Sequence, residues 1–225
     1  MTLTSTASDT KTQTENNTVD IAVLELLASR ICHDLISPVG AVHNGVEFLE
    51  ESGVTGGEDA IGLIAHSAQM AAAKLQAFRL AYGAGGRDPN IKPADVQKVF
   101  EDLTGLDGKI KQDWAPEALT QPSIPAGYCK IMMGIMIMAV ECLPKGGTVH
   151  VAWDEDKTTV TASGPDAAAR PQVDDALNRT LLLDSLDPRL IHPYVLSSLA
   201  AAYDFSIEMK HDSDSKKVMF YLTNR

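Results

Sequence analysis

Cysteine is scarce in this chain. Cys32, Cys129 and Cys142 are an odd number, widely spaced over 225 residues, and no Cys-x-x-Cys pair occurs. That excludes a disulfide framework and a cysteine-held zinc site, and predicts reduced thiols. Basic residues are also short. Lys and Arg total 19 against 30 Asp and Glu, for a net charge of −11. With no basic stripe to neutralise phosphates, nucleic acid is excluded as a partner. Long apolar runs are missing too. The most apolar one, Ile131 to Val140, is broken by Gly134 and is too short to span a bilayer, so no membrane association is expected. Residues 1–19 are rich in Thr, Ser and Asn, without the apolar core of a secretory signal. They read as a disordered leader on a cytoplasmic protein. What remains is ordinary globular composition, about 44% apolar.

The first patterned segment, 20–83, is helical. Asp20 is a candidate N-cap for a helix running to about Glu51. Leu24, Leu27, Ile31, Leu35, Val42, Val46 and Leu49 recur on one stripe at about 100° per residue, flanked by Ile21, Cys32 and Val39. Pro38 interrupts this helix and deletes the backbone bond to the carbonyl of Asp34. Residues 52–57 form a turn. A second helix, 58–82, carries Ile61, Ile64, Ala68, Leu75, Phe78 and Tyr82 on one face. The pair predicts an antiparallel hairpin. An apolar arc as wide as that of the first helix needs more than one neighbour, and a two-fold homodimer forming a four-helix bundle satisfies it.

His33 falls about 200° from Ile31, away from the apolar stripe. Its neighbours on that arc are Leu26, Ser29, Ile36, Ser37, Gly40 and Asn44. Exposed apolar residues and a mid-helix glycine suit a docking surface better than a solvated face. Neutral imidazole is a nucleophile at physiological pH. Asp34 can take the proton side of the ring, but adjacent helical positions do not normally face each other. It either wraps around the helix to reach His33 or serves a group on a partner. Arg30, one turn earlier, reads as a surface salt-bridge residue. His43 and His66 read as ordinary surface histidines. His43 lies about 15 Å along the axis from His33, too far to share a metal. No ligand set for a metal-dependent phosphohydrolase can be assembled.

Residues 84–92 are a breaker-rich linker, and the pattern changes beyond it. Helices are expected at 93–103, 126–143 and 188–203. Strands are expected at 109–114, 148–154, 157–162, 205–211 and 217–223, the last four as two hairpins. This order predicts an α+β sandwich, one antiparallel sheet with helices on one face. Met132, Met133, Met136 and Met138 read as core filler on a buried helix.

His33-Asp34-Leu35-Ile36-Ser37-Pro38 resembles the phosphoacceptor box of the dimerisation and histidine-phosphotransfer domain of sensor histidine kinases. Residues 93–225 resemble the kinase ATPase domain with its nucleotide contacts erased. Ala139, Pro144, Gly146 and Gly147 coincide with the kinase pattern Asn-Leu-Leu-x-Asn-Ala-x-x-x-x-Pro-x-Gly-Gly. The two asparagines become Gly134 and Met138, and a thioether is a poor magnesium ligand. In the next box, Asp-x-Gly-x-Gly, the adenine-reading aspartate becomes Ala162 and the last glycine becomes Asp166. The later glycine box becomes Ile191-His192-Pro193-Tyr194, without the close backbone donors a phosphate requires.

An acceptor histidine beside a defunct nucleotide domain is similar to the ChpT-type histidine phosphotransferases of bacterial phosphorelays. The resemblance covers Asp20 to the C-terminus. It implies a protein-histidine phosphotransferase without intrinsic ATP-dependent kinase activity. His33 would accept a phosphoryl group from the receiver aspartate of a hybrid histidine kinase and pass it to receiver domains of response regulators. In that family a cell-cycle kinase and its master regulator are typical partners. His33 is then catalytic with Asp34 as helper, and Leu26, Ser29, Arg30, Ile36, Ser37, Gly40 and Asn44 bind the partner. The chain would need no cofactor or metal of its own, since magnesium comes with the receiver. Two rival readings are an active ATP-dependent kinase, against which the lost contacts speak, and a non-catalytic dimeric adaptor for receiver domains.

Overall fold

A computed structural model of the chain describes residues 20–52, 57–84, 88, 90–118, 124–154 and 157–225. The expected leader, most of the first turn and part of the linker lie outside these residues. The expected hairpin is formed by α1 (Ile21–Ser52) and α2 (Gly57–Tyr82). Asp20 caps α1, its Oδ1 accepting a hydrogen bond from the amide of Ala22 at 2.8 Å. The seam with α2 does not follow the stripe through Leu24 and Val46, both of which are exposed. Pro38 and Gly45 are buried instead. A methyl group on Gly45 would come within 2.6 Å of the side chain of Ile64, so the missing Cβ is what lets α2 approach here.

The remaining elements are α3 (Pro93–Gly105), β1 (Ile110–Asp113), α4 (Tyr128–Glu141), β2 (Gly147–Asp154), β3 (Lys157–Ser163), α5 (Val173–Leu177), α6 (Ile191–Ala202), β4 (Phe205–Asp212) and β5 (Lys217–Asn224). The strands form one sheet in the order β1-β2-β3-β5-β4. One expectation fails. β1 pairs with β2 in parallel, Ile110 opposite Gly147, so the sheet is mixed. The cause is α4, which lies between them in sequence and carries the chain back across the sheet. An antiparallel pair would need only a tight turn. The other pairings are antiparallel, with Val149 opposite Ala162 and Val160 opposite Phe220.

Alternation along the strands buries one face. Val149, Val151, Val160, Ala162, Val218, Phe220 and Leu222 point into the core. α4 lies in that core, with every residue from Tyr128 to Ala139 buried, the four methionines among them. α6 starts three residues later than expected. The Asp187 carboxylate accepts from the amides of Arg189 and Leu190 at 2.8 and 2.9 Å, and this turn occupies 187–190. α5 was not expected, because five residues are too few to show a helical period.

The hairpin and the sheet layer share one core. Ala77, Leu80 and Ala81 of α2 belong to the same apolar cluster as α4. The buried ammonium of Lys130 donates to the carbonyl of Gly83 at 2.8 Å, placing positive charge at the C-terminal end of α2. His192 joins the layers a second time. The hydroxyl of Tyr82 hydrogen-bonds its Nδ1, and its Nε2–H donates to the carbonyl of Gly134 at 2.9 Å. Burial holds the His192 pKa below the ordinary histidine value, which favours the neutral ring with the Tyr82 hydroxyl donating to Nδ1.

Candidate functional site

The site is built on the middle of α1, at the defect that Pro38 makes. Without an amide proton at position 38, the carbonyl of Asp34 loses its helical donor. The ammonium of Lys74, on α2, supplies a replacement at 2.9 Å. The backbone of Asp34 is therefore held by the neighbouring helix.

The Asp34 side chain divides its two oxygens. Oδ2 accepts from Nε of Arg30 at 2.9 Å, and Oδ1 lies 3.3 Å from Nδ1 of His33. Asp34 does wrap around to its neighbour. Burial pushes its carboxyl up, but the hydrogen bond and charge of Arg30 outweigh burial and hold it below the ordinary carboxylate range. Arg30 also bonds the carboxylate of Glu141, the last residue of α4, and donates to the carbonyl of Pro188 at 3.2 Å. Burial opposes its charge, yet Glu141 and Asp34 raise its pKa further above the ordinary arginine value. His33 ends this chain of contacts with its side chain 85% exposed, against 23% for Asp34 and 17% for Arg30. With Nδ1 toward Asp34, Nε2 is on the opposite side of the ring, toward solvent.

Of the residues expected to bind a partner, some are exposed and others are not. Ser29, Ile36, Ser37 and Asn44 are exposed around His33, Ile36 to 69%. Nothing stands within 4 Å of where a Gly40 side chain would begin. Two members differ. Leu26 is half-buried and packs on the core. Arg30 is turned inward, its guanidinium bonded to Asp34, Glu141 and Pro188. Its four-residue spacing from Asp34 could have shown one of those contacts. Glu141, Lys74 and Pro188 left no local signal in sequence.

Gly134 and Met138 on α4, with Ala162 and Asp166 beyond it, are the positions that the resemblance sets against kinase nucleotide contacts. Gly134 packs against α6 so closely that a Cβ there would lie 2.4 Å from Leu196. Met138 and Ala162 are buried. Asp166 is paired with Lys145 at 2.5 Å. The cavity lined by Met138, Glu141, Cys142, Arg170, Val173 and Pro193 encloses about 10 Å³, the room of at most one water. Among the described residues no group of three or more His, Cys, Asp and Glu side chains could hold a metal ion, and no helix is long and apolar enough to cross a membrane.

Comparison with known proteins gives three findings. Residues 93–215 match the model of the histidine phosphotransferase C-terminal domain. Protein phosphotransferase ChpT of Brucella abortus (strain 2308) is 32% identical over 180 residues, covering 78% of this chain and 83% of that protein. A bacterial phosphotransferase of known structure superposes with a TM-score of 0.73 at 27% identity, covering 91% of this chain and 98% of that one.

Proposed function

The chain belongs to the histidine phosphotransferase family, and we propose that it is a phosphorelay intermediate that carries the phosphoryl group on His33. The observation that carries this reading is the geometry of His33, an exposed imidazole whose Nδ1 faces a carboxylate 3.3 Å away. The donor is the aspartyl phosphate of a hybrid kinase receiver domain. The lone pair of His33 Nε2 attacks phosphorus, and the bond to the aspartyl oxygen breaks, returning its electrons to the donor carboxylate. The ring keeps its Nδ1 proton, and the charge that develops on it is balanced by Asp34. The reverse step delivers the phosphoryl group to a response-regulator receiver. Magnesium and most charge stabilisation come with the receiver, so the chain needs a rigid, exposed nucleophile and a docking face.

The division of labour follows the chain, with 20–83 as acceptor hairpin and 93–225 as a relic of a nucleotide-binding domain. The small cavity beside Met138, with room for at most one water, supports the absence of ATP-dependent kinase activity. Ile21, Leu24, Val39 and Val46 on α1, with Ile61 and Leu75 on α2, leave apolar surface exposed on the hairpin. A second copy of the chain would cover it as a four-helix bundle. The absence of a membrane-crossing helix among the described residues fits a cytoplasmic relay.

The test is a labelling series. The purified chain is incubated with labelled ATP alone, and with ATP plus a hybrid kinase bearing a receiver domain. The expected label is acid-labile, requires the kinase, and disappears in His33→Ala. Label from ATP alone would overturn the proposal. Signalling that survives His33→Ala would instead establish the adaptor.

A further inference from the structure

Resting on the reading of His33 as acceptor, we propose that Glu141 and Arg30 are positioning residues for its imidazole, acting through Asp34. Adjacent residues on a helix project about 100° apart, so Asp34 has no intrinsic reason to meet His33. Something must hold its carboxylate turned toward the ring. Arg30 does so by taking Oδ2 at 2.9 Å, which leaves Oδ1 facing Nδ1 of His33. Arg30 is itself fixed from two further elements, Glu141 at the end of α4 and the carbonyl of Pro188 ahead of α6. A planar guanidinium held at three points fixes direction as well as charge. The sheet layer, which this chain does not use for nucleotide, thereby sets the orientation of the histidine on the hairpin.

The chemical consequence is a choice of tautomer. A carboxylate at Nδ1 accepts the proton of the Nδ1–H form, which leaves the lone pair on Nε2. On phosphoryl transfer the N–P bond forms at Nε2 and the P–O bond of the donor breaks. The Nδ1 proton stays between the ring and Asp34. Releasing Glu141 frees Arg30 to swing, Asp34 then loses its orientation, and the ring samples the tautomer whose Nε2 is blocked by a proton.

The experiment uses the full chain with ¹⁵N-labelled histidine. Long-range ¹H–¹⁵N spectra are recorded at pH 8, where an ordinary imidazole is neutral. The wild type is compared with Glu141→Gln, which keeps shape and removes charge, and with Arg30→Lys, which keeps charge and removes the fork. His33→Ala assigns the signal. Inorganic phosphoramidate serves as phosphoryl donor, and the phosphorylated nitrogen is read in the same spectra. The wild-type ring is expected as the Nδ1–H form, phosphorylated on Nε2. Both variants should shift toward Nε2–H and lose about tenfold or more in rate. A purely structural role would lower the melting temperature and leave the tautomer unchanged. That result, or a wild-type ring in the Nε2–H form, overturns the proposal. A wild-type chain that takes no phosphoryl on His33 overturns the acceptor reading instead, and the tautomer spectra still judge Glu141 and Arg30.

Discussion

The ammonium of Lys74 donates a hydrogen bond of 2.9 Å to the backbone carbonyl of Asp34, the group that Pro38 deprives of its helical partner. A cost borne by one helix is offset by a side chain from the other. This pairing explains how a proline can sit at the centre of a 32-residue helix, five residues from His33.

Replacing Lys74 by Met should therefore orphan a part-buried carbonyl and lower stability by about 1–2 kcal/mol. In a Pro38→Ala background the restored amide takes over the same carbonyl, and the loss should shrink. Urea denaturation of the four proteins of the double-mutant cycle measures this coupling. Equal losses in both backgrounds would show that Lys74 acts elsewhere.

Val39 and Leu75 are exposed to 56% and 52% on the hairpin, where the proposed second copy packs. Val39→Glu and Leu75→Glu should each reduce the mass found by light scattering from twice 24.1 kDa to that of a single chain, with helical content retained. A monomeric wild type would sink the four-helix bundle.

Acid should loosen the contact between hairpin and sheet layer through His192. Its folded-state pKa is lowered by burial, so the unfolded chain binds the proton more readily. The stabilisation from the neutral ring is complete above the unfolded value of about 6.5. It is lost progressively as pH falls below that value toward the lowered folded one. Melting temperature recorded from pH 7.5 to 5 should fall, and His192→Asn should flatten this part of the profile. An unchanged slope in the variant would assign the acid sensitivity to other groups. Asp34 contributes in the same direction at lower pH, below its unfolded value of about 3.8.

Gly134→Asn should leave the chain without measurable affinity for ATP. Its Cβ would stand 2.4 Å from the Leu196 side chain, which must move within the buried core on α6, at a cost of about 1–3 kcal/mol. Calorimetric titration with ATP should remain flat while the melting temperature drops. A measurable ATP affinity would mean that α6 moves more easily than its packing suggests.

Much of this protein was legible in its sequence, because periodicity sets which residues share a face, although on α1 it did not decide which face α2 covers. The long helices, the buried methionine-rich α4 and the two hairpins of the sheet follow from patterns within a few residues of one another. So does His33, as a histidine on the face opposite an apolar stripe. The parallel pairing of β1 with β2 was not legible, since it depends on where α4 carries the chain.

The surroundings of the candidate site divide in the same way. Local spacing singled out Asp34 and Arg30 as neighbours of His33 in sequence but left open whether either would meet it. It could not reveal that Lys74 supplies the missing donor, nor that Glu141, 111 residues from Arg30, turns that arginine inward. Those contacts exist only because α2 packs on α1 and the end of α4 meets the hairpin. Hydrogen bonds between distant segments leave no periodic trace, so the sequence determined which helix face carries the histidine, and only the tertiary structure decided what holds it.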